Sequence, residues 1–268
     1  MIRVSDEVSP FAGSPIATPS GLIPEGMFPS GYIEKRIHDA TVVSHGSTMP
    51  FFEEMLASHP TLYDWAAAQS DVRVMQGRHA AYAAPLPDTD VGVVVRHSQH
   101  GGMLAPLSRD LFRTPRAAHE LRINWTLRHV GIPSPRLLGY ALYPAMNGTL
   151  WRADVVTREI TDSADLAKVL GAAGASFDPA QAIDATVTLL KRLSRTWAHH
   201  PDLNVKNILI AADENGTLVA HVLDVDTLRF AERNAETLNL ARLVRSARKW
   251  LSRDGGKAFA QLIERLGG

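Results

Sequence analysis

The sequence predicts an α+β fold in two lobes: a small, β-rich N-terminal lobe and a mainly helical C-terminal lobe that carries one β-hairpin. Three observations predict it. Strand-length apolar runs recur at Val72–Met75, Tyr82–Ala84 and Val91–Val95, and again at Leu137–Leu142 and Arg152–Arg158. Between these two groups lies one helix signal with its own start and stop residues, from Thr114 to Gly131. Beyond Ile160 the pattern is helical, except where the apolar runs Val205–Ile210 and Leu218–Leu223 flank Asp213-Glu214-Asn215-Gly216, a strong turn signal.

Taken in order, residues 9–31 interleave Pro10, Pro15, Pro19, Pro24 and Pro29 with glycine and serine, so 1–31 reads as an extended arm. It lacks the basic start and apolar core of a signal peptide. Residues 50–69 read as helix, with Phe51, Phe52, Met55, Leu56, Leu62 and Trp65 as apolar contacts. In the interrupting helix Thr114 is the N-cap, Pro115 takes the first position, and Leu121, Trp125 and Leu127 are among the apolar positions. Gly131 ends it and Pro133 prevents resumption. The N-terminal lobe, with its preceding helices, is expected over 32–158 and the C-terminal lobe over 159–268, with Val156 to Ile160 as the link. In the second lobe Asp178-Pro179 is a cap followed by proline at the first helical position. Ile183, Val187, Leu190 and Trp197 continue at roughly helical spacing, with Ser194 in the same stripe.

At 268 residues the chain can bury a sizeable core. No apolar run approaches the ~18 residues needed to span a bilayer. The absence of cysteine excludes disulfides and thiolate–metal sites, so a cytoplasmic protein is expected. Acidic and basic residues balance at 28 each, yet they are unevenly placed. Arg96, Arg109, Arg113, Arg116 and Arg122 form one basic run, and Arg242, Arg245, Arg248, Lys249 and Arg253 a second. These are either solvated helix faces or a surface for an anionic substrate or membrane. Nothing points to a nucleic-acid polymer.

The chemistry is concentrated in His200-Pro201-Asp202-Leu203-Asn204-Val205-Lys206-Asn207, followed 17 positions after Asn207 by Asp224. Phosphoryl transfer demands an acceptor hydroxyl held in line and metal ions that neutralise phosphate charge. Protein kinases meet the demand with an Asp that accepts the hydroxyl proton and an Asn five residues later that holds a metal. An acid on the far arm of a hairpin holds the metals bridging the phosphates. Asp202, Asn207 and Asp224 match those roles in order and spacing, and the hairpin brings the last two together. His200 is expected to brace the loop. Asp226 either joins a metal shell or caps the turn.

In the first lobe, Gly77 is either a phosphate-covering loop or a plain hairpin glycine. Arg96 ends the third strand, where kinases place a lysine on the phosphates, and Glu120 on the next helix is its partner. The outline is that of a two-lobed kinase, with the nucleotide between the lobes and Val156 to Ile160 offering backbone hydrogen bonds to adenine. The chain after Asp226 has no A-P-E-type segment, which argues against a protein substrate. Two rivals stand beside a sugar or glycolipid kinase. One is a phosphotransferase of the aminoglycoside or choline type, which would surround its acceptor with acids. The other is a nucleotide-binding pseudokinase.

From Leu62 to Lys249 the chain resembles the 3-deoxy-D-manno-octulosonic acid (Kdo) kinases of the lipopolysaccharide kinase family, within the protein-kinase-like superfamily. The resemblance is carried by Gln76-Gly77-Arg78, Val95-Arg96-His97, Gly101-Gly102, Glu120, Gly131-Ile132-Pro133-Ser134-Pro135 and Trp151-Arg152-Ala153-Asp154. It continues through Asp202-Leu203-Asn204, Asn207-Ile208-Leu209, Leu223-Asp224-Val225-Asp226 and the block from Asn239 to Ser246. It implies a protein-kinase-like fold, ATP with Mg²⁺ as cofactors, and nucleotide contacts from Gly77, Arg78, Arg96 and Glu120. It also implies phosphorylation of the Kdo sugar of Kdo-lipid A in lipopolysaccharide core biosynthesis, by a protein peripheral at the cytoplasmic face of the inner membrane. Two features depart from the family pattern: Ser98-Gln99-His100 after the third strand, and Val225 where phenylalanine is usual.

Overall fold

The computed structural model describes residues 27–75, 80–98, 116–171, 176–254 and 256–267. Contacts divide these into two units. The first holds the described residues up to 125 and 135–162; the second holds 126–134 and 163–267. The α+β architecture expected from the sequence is present, with a large antiparallel sheet in one unit and most of the helix in the other.

The sheet of the first unit comprises β1 (Tyr32–Ile37), β2 (Ala40–His45), β3 (Arg73–Met75), β4 (Ala81–Pro85), β5 (Gly92–His97), β6 (Leu137–Ala145) and β7 (Leu150–Arg158), in the spatial order β1-β2-β6-β7-β5-β4-β3. Strands β3 to β7 fall where the apolar runs predict them. The first two were not anticipated within the 32–158 segment. β1 is an edge strand whose Glu34, Lys35 and Arg36 are exposed, so its sequence carries no buried stripe; its pairing with β2 supplies the structure.

Successive residues of a strand face opposite sides, so one sheet serves two cores. Val42 and Val156 face α1 (Met49–Ser58) and α2 (Leu62–Ala67), against Phe52, Met55, Leu62 and Trp65. Val43 and Val155 face α3 (Ala117–His129), against Ala117 and Leu121. Thr114 and Pro115, the expected start of α3, lie outside the described residues. Its end is as expected: Gly131 is left-handed, and the amides of Gly131 and Ile132 donate to the Arg128 and Leu127 carbonyls.

The second unit contains a three-stranded sheet ordered β10 (Leu218–Val222), β9 (Ile208–Ala212), β8 (Ser163–Asp165). Its helices are α4 (Leu166–Leu170), α5 (Pro179–Arg195), α6 (Ala235–Asp254) and α7 (Lys257–Arg265). Asp178 caps α5 as expected, its carboxylate accepting from the Ala180 and Gln181 amides. Ile183, Leu189, Leu190 and Leu193 are the buried apolar face of that helix. Trp197 corrects the predicted stripe: α5 stops at Arg195, the indole residue takes a left-handed backbone, and it is 40% exposed. The hairpin is also shorter than predicted, because Val205 to Asn207 form turns and pairing begins at Ile208. The turn itself is as expected, with the Asp213 carboxylate accepting from the Asn215 and Thr217 amides and Gly216 left-handed.

Candidate active site

All three residues expected to carry the chemistry lie in the second unit, on one loop and one hairpin end. The loop leaves α5 and is first pinned by His199, which exchanges backbone hydrogen bonds with Arg229 at 2.8 and 2.9 Å. Next comes His200, fully buried. Its Nε2 lies 2.9 Å from the Leu223 carbonyl and its Nδ1 accepts from the Asp202 amide at 3.2 Å. That assignment makes the ring the neutral Nε2–H tautomer. Burial, the dominant influence, lowers the pKa of His200, while the hydrogen bond with Leu223, followed by the charges of Asp224, Asp202 and Asp226, raises it. One uncharged ring therefore bridges the acid-bearing loop and the end of the hairpin, the bracing role expected of it.

Leu203 and Val205 are completely buried, each anchoring the loop by roughly 2 kcal/mol of apolar burial. On the same loop, the side-chain amides of Asn204 and Asn207 both donate to the Asp202 carbonyl at 2.9 Å. The Leu223 amide donates to the Asn207 carbonyl at 2.9 Å. Asp202 and Asn207 are thus linked directly, and Asn207 is linked through backbone to the residue preceding Asp224.

Asp224 itself has φ 51° and ψ 52°, a left-handed conformation at a non-glycine residue. Its carboxylate does not cap the short helical turn Val225–Thr227 that follows. Strain of this kind is held in place by surroundings and is concentrated at functional positions. Asp226 lies within that turn.

Three further residues support the loop and were not singled out individually from the sequence. On α6, the Asn239 side chain accepts from the His200 amide at 3.0 Å and donates to the Ala198 carbonyl at 2.8 Å. Arg242 donates to Asp202 Oδ1 at 2.6 Å, and Ser246 Oγ accepts from the Val205 amide at 3.2 Å. Positions 239, 242 and 246 share one helix face. The signal was present: these polar residues are interleaved with Leu243 and Ala247, both buried.

In the first unit, Arg96 on β5 and Glu120 on α3 form the expected ion pair, with the Glu120 side chain only 5% exposed. Gly77 and Arg78 lie outside the described residues. Within Val156–Ile160, the amides of Arg158 and Glu159 are already engaged by the Arg136 and Gly92 carbonyls. Those two donors are therefore unavailable to a base.

The donor set fits a hard divalent cation. Asn207 spends its NH₂ on the Asp202 carbonyl, which leaves its amide oxygen available as a ligand, and Asp224 carries a carboxylate that does not cap the following turn. Among the described residues no group of three or more His, Asp or Glu side chains is placed to hold a metal. An ion here would rely on those two residues plus oxygens from phosphate and water, the usual style for Mg²⁺.

A buried histidine bracing an acid–amide loop, with a second acid just beyond the adjoining hairpin, follows the residue pattern of a kinase catalytic loop. The comparison with known families agrees. Residues 64–262 match the lipopolysaccharide kinase (Kdo/WaaP) family, and the chain belongs to it. Three curated relatives are 3-deoxy-D-manno-octulosonic acid kinases. That of Vibrio vulnificus is 28% identical over 155 residues, covering 56% of this chain and 63% of its own length. That of Haemophilus influenzae is 27% identical over 198 residues, 70% and 80% of the two chains. That of Xanthomonas oryzae pv. oryzae is 33% identical over 184 residues, 65% and 68%. The matched region thus spans less than two thirds of the first relative's length.

Proposed function

We propose that the protein is an ATP-dependent kinase that phosphorylates a sugar hydroxyl, with the Kdo residue of Kdo-lipid A as acceptor. The observation that carries this reading is the linkage of Asp202, Asn207 and the Asp224 strand end around neutral His200, in a chain of this family. Asp202 accepts the proton of the acceptor hydroxyl as that oxygen attacks the γ-phosphorus of ATP. Asn207 and Asp224 would hold Mg²⁺, which when bound neutralises charge on the phosphate oxygens. Arg96, fixed by Glu120, is assigned to the nucleotide phosphates, and Gly77 and Arg78 to the segment that covers them. An arginine suits this task because it stays charged and offers several donors in one plane.

An anionic glycolipid acceptor also gives the second basic run a use. Arg245, Arg248, Lys249 and Arg253 are exposed on α6, whose Asn239, Arg242 and Ser246 hold the catalytic loop. Among the described residues no helix is long and apolar enough to cross a membrane. Association at the cytoplasmic face of the inner membrane would then be peripheral, through basic side chains and anionic phosphates. This surface disfavours a cationic acceptor of the aminoglycoside or choline kind.

The direct test is transfer of radiolabelled phosphate from ATP to Kdo-lipid A. The Asp202→Ala variant should lose about 10²- to 10⁴-fold in kcat while still folding. Wild-type turnover in that variant would remove Asp202 as the base. No transfer to Kdo-lipid A, with transfer to a cationic amino sugar, would replace the acceptor.

A further inference from the structure

We infer that Arg242 is a positioning residue for the reaction, acting through the carboxylate of Asp202. The inference rests on the reading of Asp202 as the base. Arg242 donates to Asp202 Oδ1 at 2.6 Å across 40 positions of sequence, from a helix to a loop. One carboxylate oxygen is thereby occupied, and Oδ2 is left for the acceptor hydroxyl. The bond comes from Nη2; among the described residues the Arg242 Nε is buried without a hydrogen-bond partner.

The two neighbours on the same face of α6 show why the arginine can act as a ruler. Asn239 fixes the backbone at His200 and Ser246 fixes it at Val205, so the loop is tied to the helix on both sides of Asp202. Backbone ties alone leave the Asp202 side chain, half exposed, free to rotate. The guanidinium removes that freedom. Asn204, two residues after Asp202, is uncharged, and its amide donates to the Asp202 carbonyl. The cation comes from α6.

An ion pair this exposed adds little to stability. Misplacing a reacting group, by contrast, costs up to about 10²-fold in rate. Arg242→Ala should therefore lower kcat about 10- to 100-fold, with small changes in acceptor KM and melting temperature. Arg242→Lys should recover part of the loss. Low, non-denaturing guanidinium should raise kcat of Arg242→Ala several-fold but not that of Asp202→Ala. Adding Arg242→Ala to Asp202→Ala should cost nothing further, because the arginine works through the missing carboxylate. The control Arg265→Ala, which removes an exposed arginine paired with Asp184, should leave activity unchanged.

Wild-type kcat in Arg242→Ala overturns the inference. So does a loss of equal factor in both backgrounds, or a loss that tracks reduced melting temperature and is restored by neither lysine nor guanidinium. Full activity in Asp202→Ala is a separate result: it removes the base assignment itself.

Discussion

Asp224 combines two properties that substitution can separate. Its backbone is left-handed, which glycine adopts without cost, and its side chain offers the carboxylate assigned to the metal. Asp224→Gly should therefore hold or raise the melting temperature while abolishing phosphoryl transfer. A variant that melts early, or one that keeps turnover, would contradict that division. Asp202, Asn207 and Asp224 could be proposed from the sequence alone because loop chemistry is written at short, fixed spacing. Arg242 was visible only within a basic run and the Asn239–Ser246 block, and its contact was not, since its partner lies 40 positions away. The same run splits on folding: Arg242 is turned into an ion pair, while Arg245, Arg248, Lys249 and Arg253 remain exposed. Lys206 and Arg253 both approach the ring of Trp250, at 5.5 and 5.0 Å, which ties the loop residue to the end of α6.

Among the elements, β6 shows how tightly one position can be specified. A Cβ on Gly139 would lie 2.6 Å from the Val43 carbonyl oxygen and 2.7 Å from the Phe52 ring, beside a register shift in the pairing of β6 with β7. Gly139→Ala should destabilise the protein by about 1–3 kcal/mol, read from a denaturant midpoint; an unchanged midpoint would mean the sheet gives way freely. The second element to test is β10. Burial lowers the pKa of His221 from its usual 6.5, outweighing backbone hydrogen bonds that raise it. The folded state thus binds the proton less readily than the unfolded chain. This contribution to stability is complete above about pH 6.5 and is lost as pH falls through the lowered value. Unfolding midpoints should decline on acidification, less steeply in His221→Gln, with His199 and His200, both shifted downward by burial, accounting for part of the remainder. Helix punctuation proved easy to read at Asp178-Pro179 and Gly131, where one residue's geometry decides. Trp197 was misread because apolar spacing continued past a helix that had already ended.

At the scale of the whole molecule, the proposed reading predicts linked binding. ATP with Mg²⁺ should raise the melting temperature, ATP with chelator should raise it less, and Asn207→Ala should narrow the difference between the two. Equal shifts with and without the metal would count against the assignment of Asn207 and Asp224. What the sequence determined by itself was whatever depends on near neighbours: the periodicity of β3 to β7, the caps, the hairpin turn, and the acid–amide–acid order of the loop. Tertiary structure alone decided the remainder. It enrolled the charged edge strand β1 through its pairing with β2, and it faced Asn239, Arg242 and Ser246 of α6 towards the loop. It also buried His200 as a neutral brace between Asp202 and Leu223. Those features depend on which distant groups exclude water from one another, and that is fixed only when the chain has closed on itself.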